Sequence, residues 1–503
     1  MAEEKINNTK IDSNNTSCYR SIFKATSIFG GVQVYQILIG VIKSKFIAVL
    51  LGPVGMGVQG LYQSAIQVVQ GLTNLGLSQS AVRDVSEAYG SNDENRIGHT
   101  VSVVKRLVWF TGLLGLLVTI CLSPILSKSS FGNYDHIIPF IALSITVLLD
   151  QLTAGQKVII QGTRKIKLLA KATAVGATIG MLCSVPLYYF MGLAGIIPAF
   201  FVYSIVSLFL SYFYSHKIKI KEVQVSLKDS FQGGKSMLKL GIAMSINAIL
   251  INVFSYILRA FIRHTGGIEE VGLFTAGFTI LNVYVGMVFN AMSTDYFPRL
   301  SAINKDNNGC KTLINQQAEV ALLILSPIVF LCIILMPFLI RLIYSEDFLA
   351  ANDYISWAVL GLMFKCVSWV IAFIFLAKSE SKLFVVNETI TQIYSLVLQL
   401  VGYFLFGLSG LGIAFTLSYI IYCIQVYIIA HKKYEFIFSD SMIRCFIILF
   451  VMVSAGFALI HILNSAIVYI PLTLLLVLCS WYSIKELNER MDFLSVLNSR
   501  LKK

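Results

Sequence analysis

The chain matches itself at one offset. Phe46-Ile47 recurs as Phe261-Ile262, Gly52 and Gly57 as Gly267 and Gly272, and Lys167-Leu168 as Lys382-Leu383. Tyr188, Gly192, Leu193 and Gly195 recur as Tyr403, Gly407, Leu408 and Gly410, and His216-Lys217 as His431-Lys432. In so apolar a chain no single pair carries weight. A register of 215 residues (261 − 46) held across both halves does, and it indicates two copies of one helical unit.

Composition says where that unit resides. The 503 residues are 56% hydrophobic and 13% charged, whereas soluble domains carry about 25% charged residues. Apolar runs long enough to cross a bilayer recur from end to end. The expected fold is an all-α integral membrane protein with about fourteen spans, at 24–51, 55–81, 103–124, 135–161, 167–190, 193–215, 237–262, 270–297, 317–343, 352–377, 383–406, 409–431, 444–462 and 466–484. In the second span Gln59, Gln63, Gln67, Gln70 and Asn74 share one helical face, which should look into protein or water rather than lipid.

Charge orients the spans. Of 39 lysines and arginines, Lys128, Arg259, Arg263 and Arg341 fall on one side, and Lys43, Lys45 and Lys365 fall within spans. Roughly thirty-two lie on the other side or at the span ends nearest it, and that side is therefore read as cytoplasmic, with both termini there. The repeat covers spans 1–6 and 7–12. Six crossings per copy give both copies the same orientation, so their pseudo-two-fold axis should run along the membrane normal. The expected organisation is a cytoplasmic N-terminal segment (1–23), an N-lobe (24–215), a basic linker (216–236), a C-lobe (237–431), two extra spans (444–484) and a cytoplasmic tail (485–503).

Several functions are excluded. The basic residues sit at helix ends and in short loops, which argues against nucleic acid. The nine cysteines form no CxxC pair and no Cys/His cluster, so neither a metal site nor a disulfide framework is expected. The polar first twenty residues do not resemble a cleaved signal peptide. The six histidines are scattered with no nucleophile beside them, so no catalytic set and no enzyme is expected, nor any cofactor.

Leu51-Gly52-Pro53-Val54-Gly55-Met56-Gly57 forms a GPxGxG turn after a lysine-bearing first span, and Asp295-Tyr296-Phe297-Pro298-Arg299-Leu300-Ser301 ends the eighth. The tenth span runs from Phe364-Lys365 to Ala377-Lys378. In order and spacing these motifs, over about residues 25 to 430, resemble the Wzx-type flippases of O-antigen and other lipid-linked oligosaccharide repeat units. Those belong to the polysaccharide-transporter branch of the MATE/MurJ-like MOP superfamily. The departure is the extra pair of spans at 444–484, since many relatives have twelve. The resemblance implies two six-helix lobes around a cavity open alternately to either side of a bacterial inner membrane. It implies an undecaprenyl-pyrophosphate-linked glycan as substrate, H⁺ or Na⁺ as candidate coupling ions, and polysaccharide polymerase and chain-length proteins as partners.

Charges inside the spans are the candidate site, because each costs roughly 2.5–3.5 kcal/mol at the bilayer centre and so should face a cavity or a partner. Lys43 and Lys45 in the first span, and Arg259 and Arg263 in the seventh, stand at one level in the two repeats, since Ser44 is the counterpart of Arg259. Together with Lys365, deep in the tenth span, they would hold a pyrophosphate through charge-assisted hydrogen bonds. Lys43 and Lys45 point about 200° apart, so one binds while the other snorkels or pairs. The counterpart of Lys365 is Asp150, a candidate coupling residue that would pair with it across the lobes or approach Lys157 on its own helix. Arg83, Asp84, Asp295 and Arg299 would form an inner gate or simply cap their helices. Tyr35, Tyr62, Trp369 and Tyr394 either line the glycan's route or pack the core.

Four rival functions stand against this one, among them a non-transporting scaffold, which would have no reason to retain lysines inside its spans. A cation-coupled multidrug exporter of the same fold would want cavity acids, whereas the candidates are mostly basic. Another lipid-linked glycan flippase, such as one for lipid II, would share the site. A membrane polymerase or ligase would need a larger outer loop than this chain has.

Overall fold

The computed structural model describes residues 2–221, 223, 225–462 and 468–491, with side chains from Gly31 onward except at scattered positions in 227–244 and 283–295. Residues 492–503 of the expected tail and the side chains of the segment 1–23 lie outside the described residues.

The described residues fold as α-helices: α1 (Ala2–Thr73), α2 (Leu77–Gly90), α3 (Glu94–Phe131), α4 (Ile137–Gly162), α5 (Ile166–Met191), α6 (Ile196–His216), α7 (Leu227–Gly266), α8 (Ile268–Thr279), α9 (Gly286–Ala302), α10 (Asn307–Ile343), α11 (Ala351–Ala377), α12 (Ser381–Tyr434), α13 (Asp440–Ile462) and α14 (Tyr469–Met491). Ten helical segments among them are long and apolar enough to cross a membrane. The difference from fourteen lies in how the spans are joined. Helices α1 and α12 each carry two expected spans, and α5 runs into α6 through a 3-10 turn at Gly192–Gly195. The eighth span is split into α8 and α9 by a π-helical turn at Ile280–Tyr284.

The repeat is written into the backbone. Helix α1 kinks at Gly52 (φ 63°, ψ −169°), and its counterpart Gly267 (φ 97°, ψ 178°) separates α7 from α8. Gly192 (φ 55°, ψ −133°) separates α5 from α6, and its counterpart Gly407 (φ 56°, ψ −138°) kinks α12. These conformations strain any residue with a Cβ, which is why glycine recurs there. Pro53 follows the first kink as an early residue of a new helical stretch, where its missing N–H costs nothing. Arg164 (φ 58°) and Ser379 (φ 59°) repeat a third turn without glycine. The two halves also share an aspartate N-cap, Asp93 on α3 and Asp306 on α10, each accepting from the backbone N–H two residues on.

Two compact units result, Met1–Leu51 with Gln59–Tyr256, and Gly52–Val58 with Ile257–Lys503. In the first, α2, α3 and α4 close over a core of Leu77, Val85, Val104, Leu107 and Ile159, to which Val225 and Met237 contribute. The expected second span ends early, at Thr73, where Leu75 (φ 50°) and Gly76 (φ 65°) turn the chain into α2. On its glutamine face, Gln70 donates to Asp150 (3.0 Å) and Asn74 accepts from Gln151 (3.1 Å), while Gln63 and Gln67 are exposed.

In the second unit the GPxGxG turn packs on its own repeat counterpart. A Cβ on Gly57 would lie 2.1 Å from the Ile268 carbonyl oxygen, and one on Gly272 would lie 1.9 Å from that of Pro53. The two extra helices have a packing role there. Gly456 of α13 abuts the Phe330 ring of α10, and Phe446 and Phe450 meet Phe364 of α11 at ring distances of 5.4 and 5.2 Å. Arg490 of α14 reaches the buried Glu319 of α10 at 3.4 Å. Glu319→Gln removes the charged half of this contact and is expected to cost roughly 1–2 kcal/mol. Thermal unfolding of the purified protein in detergent should show an earlier transition.

Candidate functional site

In the first unit the charges gather between α1, α4 and α6. The Asp150 carboxylate on α4 accepts from Gln70 Nε2 (3.0 Å) on α1 and from Ser204 Oγ (2.7 Å) on α6. Lys157, two turns along α4, acts electrostatically on the same carboxylate. Lys43 places its ammonium 4.8 Å from the centre of the Tyr203 ring, next to Ser204. Lys43 is thus held within the protein by an aromatic face, an attraction that strengthens away from water. Lys45, half-buried, points elsewhere, as two positions on a helix require.

The second unit builds the corresponding set with the opposite charge. Lys365 on α11 donates to Asn282 Oδ1 (3.0 Å) in the π-helical turn. Its ammonium lies 5.3 Å from the Tyr419 ring, 5.7 Å from Phe415 and 5.8 Å from Phe289. Asp150 with Ser204 and Lys365 with Tyr419 are the same two positions in the two repeats (365 − 150 = 215 and 419 − 204 = 215). Each charge therefore takes an amide from the helical stretch two spans earlier and a hydroxyl-bearing residue two spans later. Arg259 is buried at 8% exposure, with its guanidinium 5.5 Å from the Phe274 ring and 5.4 Å from Phe278. Phe274 in turn meets Tyr354 at 5.3 Å. Arg263 lies one turn further on, with a buried Nε that has no partner among the described residues.

The gate candidates are less gathered. Arg83 is exposed on α2 beside half-buried Asp84, whose carboxyl burial lifts above its ordinary value, with Arg83 opposing and Glu87 adding to the shift. Arg299 is exposed on α9, and the side chain of Asp295 lies outside the described residues. Of the aromatic candidates, Tyr62 belongs to the core. It is 3% exposed, hydrogen-bonds His136 Nδ1 at 2.5 Å and packs on Phe131 and Phe140, so it cannot line a route in this conformation. Tyr35 is exposed and bonds Thr178 (2.7 Å), and Trp369 packs against Phe289 and Tyr296.

Sequence reasoning does not reach Ser204, Asn282, Tyr203 or Tyr419. The repeat is the signal that could have found two of them, since Ser204 and Tyr419 are offset like their charges. Glu388 on α12 was open to it as an acid inside an apolar run. Tyr422 donates to its carboxylate, and Asn387, one residue before it, accepts from Gln425 (2.6 Å).

Known proteins share this architecture. Lipid III flippase of Escherichia coli (strain K12) is 22% identical over 432 residues, covering 82% of this chain and all of that protein, and the flippase of the same name from Shigella flexneri matches equally. Among solved structures, an inward-facing multidrug resistance MATE family transporter of the MOP superfamily has a TM-score of 0.69 at 14% identity, covering 81% of this chain and 98% of that one. Lipid II flippase MurJ in an inward closed conformation has a TM-score of 0.64 at 13% identity, covering 93% and 99%. The chain therefore shares its fold with these two transporters. A family described as "Polysaccharide biosynthesis protein" matches residues 46–353, more than half of the chain, and the chain belongs to that family.

Proposed function

We propose that the protein moves undecaprenyl-pyrophosphate-linked oligosaccharide repeat units, of O-antigen or a related surface polysaccharide, from the cytoplasmic to the periplasmic leaflet of a bacterial inner membrane by alternating access. The broad class is a multi-pass membrane flippase for lipid-linked glycan rather than an enzyme, on the family match and the lipid III flippase relatives. The observation that carries the finer reading is the setting of Lys365. It is a cation set inside an apolar helix and held by an amide and aromatic faces, none of which neutralises it. Such a group favours an anionic headgroup, and a pyrophosphate offers several acceptor oxygens. Arg259, Arg263 and Lys43 would add to this field, with Lys45 as the snorkelling partner. Asp150 is the candidate carrier of H⁺ or Na⁺ coupling, and Arg83, Asp84, Asp295 and Arg299 are candidates for an inner gate. Both termini would be cytoplasmic, and polymerase and chain-length proteins would take up the exported units.

Deletion of the gene in its host tests this reading. Surface glycan should be lost while lipid-linked repeat units accumulate on the inner face, and a plasmid copy should reverse both. Normal surface glycan in the deletion strain, with loss of cationic-dye efflux instead, would favour an exporter.

A further inference from the structure

We propose a second anion site, separate from the buried cations above: a cleft in the first unit that binds a phosphate group. The cleft has a volume of about 790 Å³. Three stretches of chain meet in it, the α2–α3 turn with Glu94, the start of α5 with Lys165 and Leu168, and the segment after α6 from Lys217 to Lys221. Four lysines line it against one glutamate, so its field is positive. Two of these ammonium groups are engaged, Lys217 over the Phe213 ring at 4.3 Å and Lys221 on Asn95 Oδ1 at 2.9 Å. The ammonium groups of Lys165 and Lys219 have no partner among the described residues.

Backbone donors join them. Lys165 is the N-cap residue of α5, and its side chain makes no capping hydrogen bond to the first turn. The N–H groups of Ile166 and Lys167, the first two of that 26-residue helix, have no intrahelical acceptor and lie at the positive end of its dipole, while Leu168 N–H turns back to the Lys165 carbonyl (2.8 Å). Helix start and lysines together form the donor set a phosphate takes.

The lysine-bearing segment is also fixed in place. A Cβ on Gly98 would lie 2.3 Å from the Lys221 carbonyl oxygen, so the segment lies directly on α3. Ile220 and Val223 pack against the buried cluster beneath it. Cations held this way lose little freedom when an anion arrives. Leu168 and Ile218 give the cleft an apolar wall. The chemistry suits either an anionic lipid headgroup with its glycerol on that wall or a free phosphate compound. In the proposed topology this end of the spans faces the cytoplasm, where both occur.

The test uses the full-length protein and its Lys165→Gln/Lys219→Gln double variant. In nanodiscs with equal phosphatidylglycerol and phosphatidylcholine, native mass spectrometry counts retained lipid. In detergent, calorimetry titrates inorganic pyrophosphate. A phosphatidylglycerol preference that falls about tenfold in the variant identifies the lipid headgroup. Pyrophosphate binding that falls likewise, with no lipid preference, identifies a free phosphate ligand. The Lys165→Arg/Lys219→Arg variant should keep whichever binding is found, which separates charge from folding. Absence of both in the parent protein, or equal binding by the glutamine variant, overturns the proposal.

Discussion

Lys365→Gln is expected to insert and fold normally yet to lose glycan export by about two orders of magnitude. Glutamine keeps most of the side-chain volume and can still hydrogen-bond Asn282, now 3.0 Å from the ammonium. What disappears is the charge. Truncating one partner of a buried charged pair typically costs ~2–5 kcal/mol, and each ~1.4 kcal/mol is a factor of ten in rate. The same substitution relieves the protein of a charge inside an apolar helix. Thermal stability should therefore stay level or rise while transport collapses. Lys365→Arg, which keeps the charge but not the shape, should recover part of the rate. A Lys365→Gln protein that melts earlier and transports in proportion to its folded fraction would mark Lys365 as structural. One that restores surface glycan fully to a deletion strain would remove it from the mechanism.

Gly57→Ala and Gly272→Ala are expected to destabilise the protein severely, although each adds only one methyl group. That methyl would fall about 2 Å from a backbone carbonyl oxygen, that of Ile268 in one case and Pro53 in the other. A side chain could rotate away, but these carbonyls are backbone, held in the first helical residues after the turns at Gly52 and Gly267. Overpacking costs ~1–3 kcal/mol where neighbours can adjust, and the upper end or beyond is expected for both. Purified variants should melt at least ~5 °C earlier, with low yield. Gly40→Ala is the control, since a Cβ there meets nothing within 4 Å. Its melting temperature should be unchanged or higher. Equal behaviour of Gly40→Ala and Gly57→Ala would show that the repeat-to-repeat contact does not hold the fold.

The helical repeat was legible because its turns need glycine. Gly52 with Gly267, and Gly192 with Gly407, match in sequence because a Cβ is costly in those backbone conformations. The third matching turn, Arg164 with Ser379, adopts a similar conformation with unlike residues and leaves no trace in the sequence. The number of spans was legible from hydropathy, but their joining was not. The π-helical turn at Ile280–Tyr284 that splits the eighth span depends on backbone geometry rather than composition. Lys43, Arg259 and Lys365 stood out because a charge in an apolar run is rare. Their partners did not, since Tyr203, Phe274 and Asn282 are ordinary residues until packing brings them close. Helix α2 escaped for a related reason. Its apolar face packs onto α3 and α4 rather than spanning, and the glutamine-rich stretch before it resembles a continuing span.

The most direct measurement reconstitutes the purified protein in proteoliposomes with a fluorescent glycan on a polyprenyl carrier, linked in one set through a diphosphate and in the other through a monophosphate. The rate of appearance on the opposite leaflet is read by quenching. The diphosphate-linked glycan should cross about tenfold faster, a difference worth ~1.4 kcal/mol, and Lys365→Gln should erase the gap. Equal rates for the two carriers in the unaltered protein would contradict recognition of the pyrophosphate by buried cations.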